Sequence, residues 1–170
     1  MTEHARAIIV MGVTGSGKTT VGALLAGRLG WDFEEGDSLH PPENIAKMSS
    51  GHALTDADRW PWLRKIGEWI DDEAGRGRSV VVSCSALKRS YRDLLRDGRP
   101  ELVFLYLAGT KEEIGERLAQ RHGHFMPPSL LDSQLADLEP LGPDEPGVTV
   151  SIVGRPEQIA ANALRVLDTP

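Results

Sequence analysis

The stretch Gly12-Val13-Thr14-Gly15-Ser16-Gly17-Lys18-Thr19 decides the fold of this chain of 170 residues. It matches the pattern GxxxxGK[ST] at every fixed position, and it follows the apolar run Ala7–Met11 and precedes an apolar helical stretch that begins at Thr20. Glycines after a buried strand let successive backbone N–H groups curl around phosphate oxygens at a helix N-terminus. Lys18 is then expected to reach the outer phosphates, and the Thr19 hydroxyl to ligate Mg²⁺. The sequence therefore predicts a nucleoside triphosphate site over residues 12–20.

The composition is that of an ordinary globular protein, and we expect one domain over residues 1–170. The formal net charge is −6, which argues against a nucleic-acid partner because nucleic-acid-binding domains are usually basic. Cys84 is the only cysteine, so no internal disulfide can form, and we expect a cytoplasmic protein. We expect no membrane span and no leader, since the apolar runs are short.

Apolar runs alternate with helical stretches along the chain, which indicates an α/β fold with a parallel sheet and helices on both faces. The predicted strands are 7–11, 31–35, 79–83, 102–107 and 148–153. The predicted helices run from the phosphate loop to Leu29, with Gly30 as the stop, through the 60s to Gly75, from Thr110 to about 121, and over 155–167.

The second of these helices carries an apolar stripe, and we place Pro61 in its first turn. We interpret the stripe as core rather than as a stacking site for a base or sugar. Trp60 lies off the stripe, so we place it nearer a pocket. The stripe consists of Trp62, Leu63, Ile66, Trp69 and Ile70.

Asp37 follows the second predicted strand, in the stretch Gly36-Asp37-Ser38-Leu39-His40-Pro41. Ligands of open α/β sheets bind beyond the carboxyl ends of the strands, so we expect this carboxylate to face the phosphate loop. There it can accept a proton from an alcohol or hold Mg²⁺ through water. The alternative role is a solvated turn or a helix cap.

The third predicted strand leads into Cys84-Ser85-Ala86-Leu87-Lys88 without a terminal Asp, which argues against the usual ATPase and GTPase layouts. Ser85 can present its hydroxyl to a substrate. Lys88 and Arg92 are four residues apart and are expected to share a helix face, which suits either an anionic ligand or solvent. We interpret Cys84 as a small buried thiol.

Cationic side chains cluster again after the fourth strand, where Arg117, Arg121, His122 and His124 surround a Gly/Pro-broken stretch. Arginines that close over a triphosphate are a recurring device in phosphoryl transfer. A metal site at the two histidines is disfavoured, because no matching carboxylate or cysteine set follows.

Several blocks together resemble the small bacterial-type gluconate kinases (gluconokinases). The resemblance covers roughly residues 7 to 140, and the match fades after Pro140. The matching blocks are the phosphate loop, Gly36-Asp37-x-x-His40-Pro41, Asn44-Ile45-x-Lys47-Met48, Gly51-x-x-Leu54, Asp56-x-Asp58-Arg59-x-Pro61-Trp62-Leu63, Cys84-Ser85-Ala86-Leu87-Lys88-x-x-Tyr91-Arg92, Tyr106-Leu107 and Gly123-His124-Phe125.

The resemblance implies a P-loop NTPase fold of the nucleoside-monophosphate-kinase type: a five-stranded parallel sheet flanked by helices, a substrate-binding helical segment at about 38–75 and a mobile lid at about 121–135. It implies ATP-dependent phosphorylation of D-gluconate at the 6-hydroxyl, with Mg²⁺. Family members are often dimers, and the sequence itself shows no interface.

The resemblance also implies roles for single residues. Asp37 resembles the base, Lys18 and Arg121 complete the catalytic set, and Arg117 with Arg121 resembles the lid pair. Residues around Gly154-Arg155-Pro156 would border the adenine. Where the family often has Asp two residues before Asp37, this chain has Glu35, which leaves its place near Mg²⁺ open. The implied gluconate ligands are Asp37, His40, Lys47, Arg59, Ser85, Lys88, Arg92 and His124.

Two alternatives stay open from the sequence. One is another small-molecule kinase of the same fold, of the shikimate or nucleotide type. The other is an ATP-binding regulator that does not catalyse.

Overall fold

The computed structural model describes residues 5–120 and 128–167. Its centre is a five-stranded parallel sheet in the spatial order β2-β3-β1-β4-β5. This confirms the predicted sheet, and the predicted strand ends differ from the observed ones by at most two residues. The strands are β1 (Ala7–Met11), β2 (Asp32–Glu35), β3 (Val80–Ser83), β4 (Leu102–Ala108) and β5 (Gly147–Ser151).

β1 is the middle strand, and all five of its residues are buried. Ala7 is in register with Val80 on one side and with Leu102 on the other. A strand covered on both faces reads as a continuous apolar run, which is why the sequence located this one so precisely. Because all strands are parallel, the segments after β1, β2 and β3 meet at one edge of the sheet.

The helices are α1 (Lys18–Leu29), α2 (Pro42–Ser49), α3 (Asp56–Gly75), α4 (Arg89–Arg96), α5 (Lys111–Gln120), α6 (Pro128–Asp137) and α7 (Pro156–Leu167). A single turn of 3-10 helix, Gly36–Leu39, follows β2. Gly30 ends α1 with a φ of 71°, as predicted. The predicted helix start at Thr110 is also confirmed by a capping box, in which Thr110 and Glu113 exchange hydrogen bonds between side chain and backbone.

The helices pack in two groups. α1 contacts α7, and α3 contacts α4. From β1 the chain crosses through α1 to β2 at one edge of the sheet, and then returns through α3 to β3 and through α4 to β4. Because parallel crossovers are right-handed, connections that run in opposite directions lie on opposite faces, so the two groups cover the two faces of the sheet. Among the described helices, none has the length and apolar character that crossing a membrane requires.

The beginning of α3 corrects one prediction. Thr55 caps the helix, because its hydroxyl accepts the Asp58 N–H while the Asp58 carboxylate accepts the Thr55 N–H. The helix therefore starts at Asp56, and Pro61 lies inside it rather than in its first turn. The predicted core stripe is confirmed: Trp62 and Ile66 are almost fully buried.

Candidate active site

The phosphate loop connects β1 to the N-terminus of α1. Gly15 and Gly17 adopt φ values of 81° and 92°, which residues with a side chain rarely tolerate. The first turn of α1 carries no acidic side chain, so its positive dipole end is not neutralised. The Ser16 hydroxyl is buried without a hydrogen-bond partner in the described part of the chain. This loop offers an anion both a helix N-terminus and an unused buried polar group.

A cavity of about 550 Å³ opens on the outer side of the loop, and we call it the outer cavity. Its volume lies in the usual range for nucleotide-sized ligands. The Arg117 guanidinium lies at this cavity and donates a hydrogen bond to the Ile152 carbonyl. Gly154 and Pro156 line the cavity, whereas the neighbouring Arg155 is not among its lining residues.

Thr19 and Glu35 meet at the mouth of the phosphate loop. The Thr19 hydroxyl donates a hydrogen bond to the Glu35 carboxylate over 3.0 Å. A hydroxyl and a carboxylate oxygen are the hard donors that Mg²⁺ prefers, and the ion usually keeps several waters besides. The residues present therefore suit Mg²⁺, and the longer side chain of Glu35 reaches the site.

A second recess, which we call the inner cleft, lies on the other side of the loop. It is lined by residues from the segment after β2, α2, α3, the loop after β3 and α6. Thr14 and Lys18 form its floor, so both recesses share the phosphate loop. Its polar walls are formed by Asp37, His40, Arg59, Ser85 and Gln134.

Asp37 reaches the inner cleft because Gly36 allows a close contact before it. A Cβ on Gly36 would lie 2.1 Å from the Ser83 carbonyl oxygen, so only glycine allows β2 and β3 to approach there. The Gly36 N–H donates to the Ser83 hydroxyl, and the Gly36 carbonyl accepts from the Trp62 indole over 2.8 Å. The Asp37 side chain itself is 70% exposed. Its carboxylate is therefore held at the edge of the sheet and is free to meet a ligand.

His40 faces Asp37 from a fixed ring position. Its imidazole stacks on Trp62 with 3.9 Å between ring centroids, and its Nε2 lies 3.9 Å from the Asp37 carboxylate. Asn44 Nδ2 donates to the Asp58 carbonyl and faces His40 Nδ1 at 3.2 Å. Since the Asn44 amide nitrogen is a donor, Nδ1 accepts, and Nε2 carries the proton.

Burial is the largest of the effects that lower the pKa of His40 to about 4. The Asp37 carboxylate opposes this shift, and the Arg59 guanidinium adds to it. The ring is therefore neutral near pH 7 and presents an N–H donor to the inner cleft.

Arg59 supplies the inner cleft with a buried positive charge. The residue is 5% exposed, and its Nη1 donates to the Tyr91 hydroxyl and to the Asp137 carboxylate over 2.8 and 3.0 Å. Burial opposes the charged form, but the hydrogen bonds to Tyr91 and Asp137 outweigh it and raise the pKa of Arg59. The Nε and Nη2 groups of its guanidinium have no hydrogen-bond partner within residues 5–120 and 128–167. A desolvated, partly used fork of this kind suits a carboxylate.

Three cations predicted as ligand contacts, Lys47, Lys88 and Arg92, pair with carboxylates of the chain instead. Lys47 pairs with Asp58 over 2.7 Å, and Lys88 pairs with Asp56 over 3.0 Å. Neither of these lysines is among the residues that line the inner cleft. Lys88 also precedes α4 instead of belonging to it, so it does not share a helix face with Arg92, as the sequence spacing had suggested.

The structure departs most clearly from the sequence prediction at Arg92, which was expected to contact a ligand. Its side chain is 1% exposed and forms two hydrogen bonds with the Glu145 carboxylate, over 2.8 and 3.0 Å. Its Nη1 donates to the carbonyls of Ala86 and Leu87. Ala86 has a φ of 43°, the one positive φ of a described residue other than glycine. Arg92 therefore stabilises a strained turn and has no donor left for a ligand.

We predict that Arg92→Met lowers the free energy of unfolding by about 3–5 kcal/mol, because it leaves the Glu145 carboxylate buried without its cation. Urea denaturation measures this loss. Arg89→Met is the matched control, since Arg89 and Asp144 form an exposed pair, and its effect should be a small fraction of that loss. Equal effects of the two variants would contradict the structural role of Arg92.

The turn that Arg92 holds places Ser85 at the inner cleft, and the Ser85 carbonyl accepts the Gly12 N–H. The adjacent Cys84 is fully buried, and burial raises the pKa of its thiol to about 12. This confirms a structural thiol rather than a nucleophile.

Three further polar or aromatic residues of the site were not found from the sequence. Ser133 and Gln134 of α6 line the inner cleft, and Trp62 lines it as well, in place of the suggested Trp60. Trp60 packs edge-to-face on Tyr91 instead. The polar run Asp132-Ser133-Gln134 between the leucines of α6 was the available signal. The predicted residues Arg121, His122 and His124 lie outside the described residues, as do residues 121–127 of the predicted lid; residues 128–135 belong to α6.

Comparison with known proteins agrees with this geometry. A family model described as shikimate kinase matches residues 14–138. A gluconokinase of Gluconobacter oxydans is 49% identical over 172 residues, which cover 97% of each chain. The chain belongs to the gluconokinase family. Two solved structures are similar to this gluconokinase-family chain over nearly its full length. One, a gluconokinase from Sinorhizobium meliloti, has 49% identity and a TM-score of 0.88 and covers 98% of this chain and 93% of its own. The other, a sugar kinase from Janibacter sp., has 53% identity and a TM-score of 0.92, with 96% and 95% covered.

Family membership confirms the resemblance seen in the motifs. It also confirms the fold class and the assignment as a P-loop kinase that uses ATP. The family model alone would have left shikimate open as the acceptor, but the full-length relatives are gluconokinases.

Proposed function

We infer that the protein transfers the γ-phosphoryl group of ATP to gluconate, and we propose the 6-hydroxyl as the acceptor. The observation that carries this inference is the inner cleft, where an exposed carboxylate and a buried guanidinium lie beside the lysine of a phosphate loop. A polyhydroxy acid needs a cation for its carboxylate and hydrogen-bonding groups along its chain, and the cleft supplies both. The relatives named above support gluconate as that acid.

For ATP, we propose that the phosphates lie on the loop from Gly12 to Thr20 and the base in the outer cavity. Lys18 neutralises the outer phosphates, and Arg117 lies where it can contact the nucleotide. Gly154 and Pro156 of the predicted stretch border the base, and a contact from Arg155 stays a prediction. Arg121 remains the predicted second member of the arginine pair.

For gluconate, we propose that Arg59 binds the carboxylate. The protonated Nε2 of His40 and the Ser85 hydroxyl hydrogen-bond to hydroxyl groups, and Asp37 faces the hydroxyl that reacts. Lys47 and Lys88 act at a distance, through their pairs with Asp58 and Asp56.

The transfer itself is a displacement at phosphorus. Asp37 accepts the proton of the gluconate hydroxyl, whose oxygen forms the new bond to the γ-phosphorus. The bond between the γ-phosphorus and its bridging oxygen breaks, and ADP leaves with the electron pair of that bond. Lys18 and the N–H groups of the loop stabilise the charge on the phosphoryl oxygens. Mg²⁺ held near Thr19 and Glu35 would neutralise the β- and γ-phosphates.

We predict that Glu35→Gln raises the Mg²⁺ concentration at half-maximal rate about tenfold, because the amide is a poorer partner for the ion or its waters. The measurement is a Mg²⁺ titration at saturating ATP and gluconate. Glu34→Gln is the matched control: it precedes Glu35 in β2, and its carboxylate accepts a hydrogen bond from Ser38 instead. An unchanged Mg²⁺ requirement in Glu35→Gln would remove Glu35 from the site.

The experiment that tests the proposed function is ADP release from Mg-ATP with a panel of acceptors. We expect turnover with D-gluconate and little with shikimate, other sugar acids or nucleoside monophosphates. Turnover with another acceptor would support a kinase but contradict gluconate as its substrate. Binding of ATP without turnover on any acceptor would favour an ATP-binding regulator that does not catalyse. The cytoplasmic location and the homodimer remain predictions; light scattering tests the latter.

A further inference from the structure

Gln134 forms a direct hydrogen bond between α6 and the phosphate loop. Its Oε1 accepts the Thr14 N–H over 2.7 Å, although the two residues are 120 positions apart. A backbone N–H is a donor and needs an acceptor, so the amide oxygen of Gln134 must face Thr14 and its amide nitrogen must face away from it. The phosphate loop thereby fixes which end of the Gln134 amide is presented to the inner cleft.

The Nε2 group of Gln134 is available for a ligand. Gln134 lines the inner cleft, and no described residue accepts a hydrogen bond from its Nε2. Among the other polar groups of the cleft, Lys18 and Arg59 are cations and Asp37 is an anion, whereas His40 and Ser85 are neutral donors. Gln134 adds a further neutral donor that is bonded to the phosphate loop itself, beside which the reacting end of an acceptor must lie.

Contacts before and after Gln134 in the chain fix its position. Leu131, one turn before it in α6, is buried in the core. On the other side Asp137 pairs with Arg59 over 3.0 Å, and the Glu139 N–H donates to the Leu87 carbonyl over 2.7 Å. A side chain on a supported helix, oriented by a backbone donor, is pre-organised for recognition.

We propose that Gln134 is a specificity-determining residue that donates a hydrogen bond from Nε2 to a hydroxyl oxygen of the acceptor. This proposal rests on the proposed function, in that the acceptor is a polyhydroxy acid. Gln134 is half-buried, and a bound substrate would cover its donor further. A covered donor left without an acceptor carries a penalty, so Gln134 selects a substrate with a hydroxyl at that position against one without it.

The test compares Gln134→Met with the unmodified enzyme on D-gluconate and on a series of monodeoxy-gluconates. Methionine keeps the length of the side chain and removes both the amide oxygen and the amide nitrogen. We expect kcat/KM for gluconate to fall about 10–100-fold, the usual cost of one lost hydrogen bond of this kind, and KM for ATP to stay within about twofold. Asp132→Asn, an exposed position of α6 that pairs with Lys111, is the control and should leave both constants unchanged.

The deoxy series separates recognition from structure. We expect one monodeoxy acid to be a poor substrate of the unmodified enzyme, and its disadvantage against gluconate to shrink about tenfold or more in Gln134→Met. Equal discrimination by both enzymes across the series, or an equal rise of KM for ATP and gluconate, would overturn the proposal and leave Gln134 as a support of the phosphate loop. If the unmodified enzyme preferred another acceptor, the proposed function would fail, and the same comparison with that acceptor and its deoxy forms would still decide the role of Gln134.

Discussion

Asp37→Asn is expected to lower kcat with gluconate about 10³-fold, while the Kd for ATP stays within about twofold of its original value. The amide has the shape of the carboxylate but cannot accept the proton of the attacking hydroxyl. The Asp37 side chain is 70% exposed and lies 3.9 Å from His40 Nε2, beyond hydrogen-bond distance, so we expect an asparagine there to leave the fold unchanged.

The measurement for Asp37 combines steady-state ADP release with a separate titration of ATP binding. Asp32→Asn is the control, because Asp32 lies at the start of β2, the strand that leads to Asp37, and is exposed. Turnover of Asp37→Asn near the original rate would refute the role of Asp37 as base. A loss of ATP affinity equal to the loss of kcat would move Asp37 to the nucleotide side of the site.

Arg59→Lys should raise KM for gluconate about 10–100-fold and change KM for ATP little. The guanidinium already donates to Tyr91 and Asp137 and still has N–H groups for a ligand. A single ammonium keeps the charge but cannot reproduce this fork, so Asp137 and the substrate would compete for it. The expected size is that of one or two hydrogen bonds to a charged group.

Lys88→Ala provides the contrast for Arg59. The two cations lie near each other, since Tyr91 contacts both, but Lys88 is held by Asp56. We expect its KM for gluconate to change less than about threefold. If Lys88→Ala matched Arg59→Lys, or if both variants changed KM for ATP alone, the gluconate carboxylate would have to lie elsewhere.

The features that the sequence predicted well are those fixed by local patterns. β1 is found from its five apolar residues, because a strand buried on both faces has no polar alternation. The phosphate loop is found because its glycines and Lys18 stand at fixed spacings. Asp37 is located by the rule that ligands bind beyond the carboxyl ends of parallel strands.

The features that the sequence missed depend on partners far along the chain. Helical spacing placed Lys88 and Arg92 on one face, but the turn at Ala86 delays the helix until Arg89. Arg92 then finds Glu145, 53 residues away, and a buried carboxylate decides its role. The contact of Gln134 with Thr14 likewise has no local signature.

The measurement that tests the central claim most directly is the ³¹P NMR spectrum of the product formed from ATP, Mg²⁺ and D-gluconate. The account predicts a gluconate-dependent phosphomonoester signal split into a triplet, because C6 is the one hydroxyl-bearing carbon of gluconate with two hydrogens. A doublet would place the phosphoryl group on a secondary hydroxyl and contradict the proposed orientation in the inner cleft. No phosphomonoester beyond the control without gluconate would contradict the function itself.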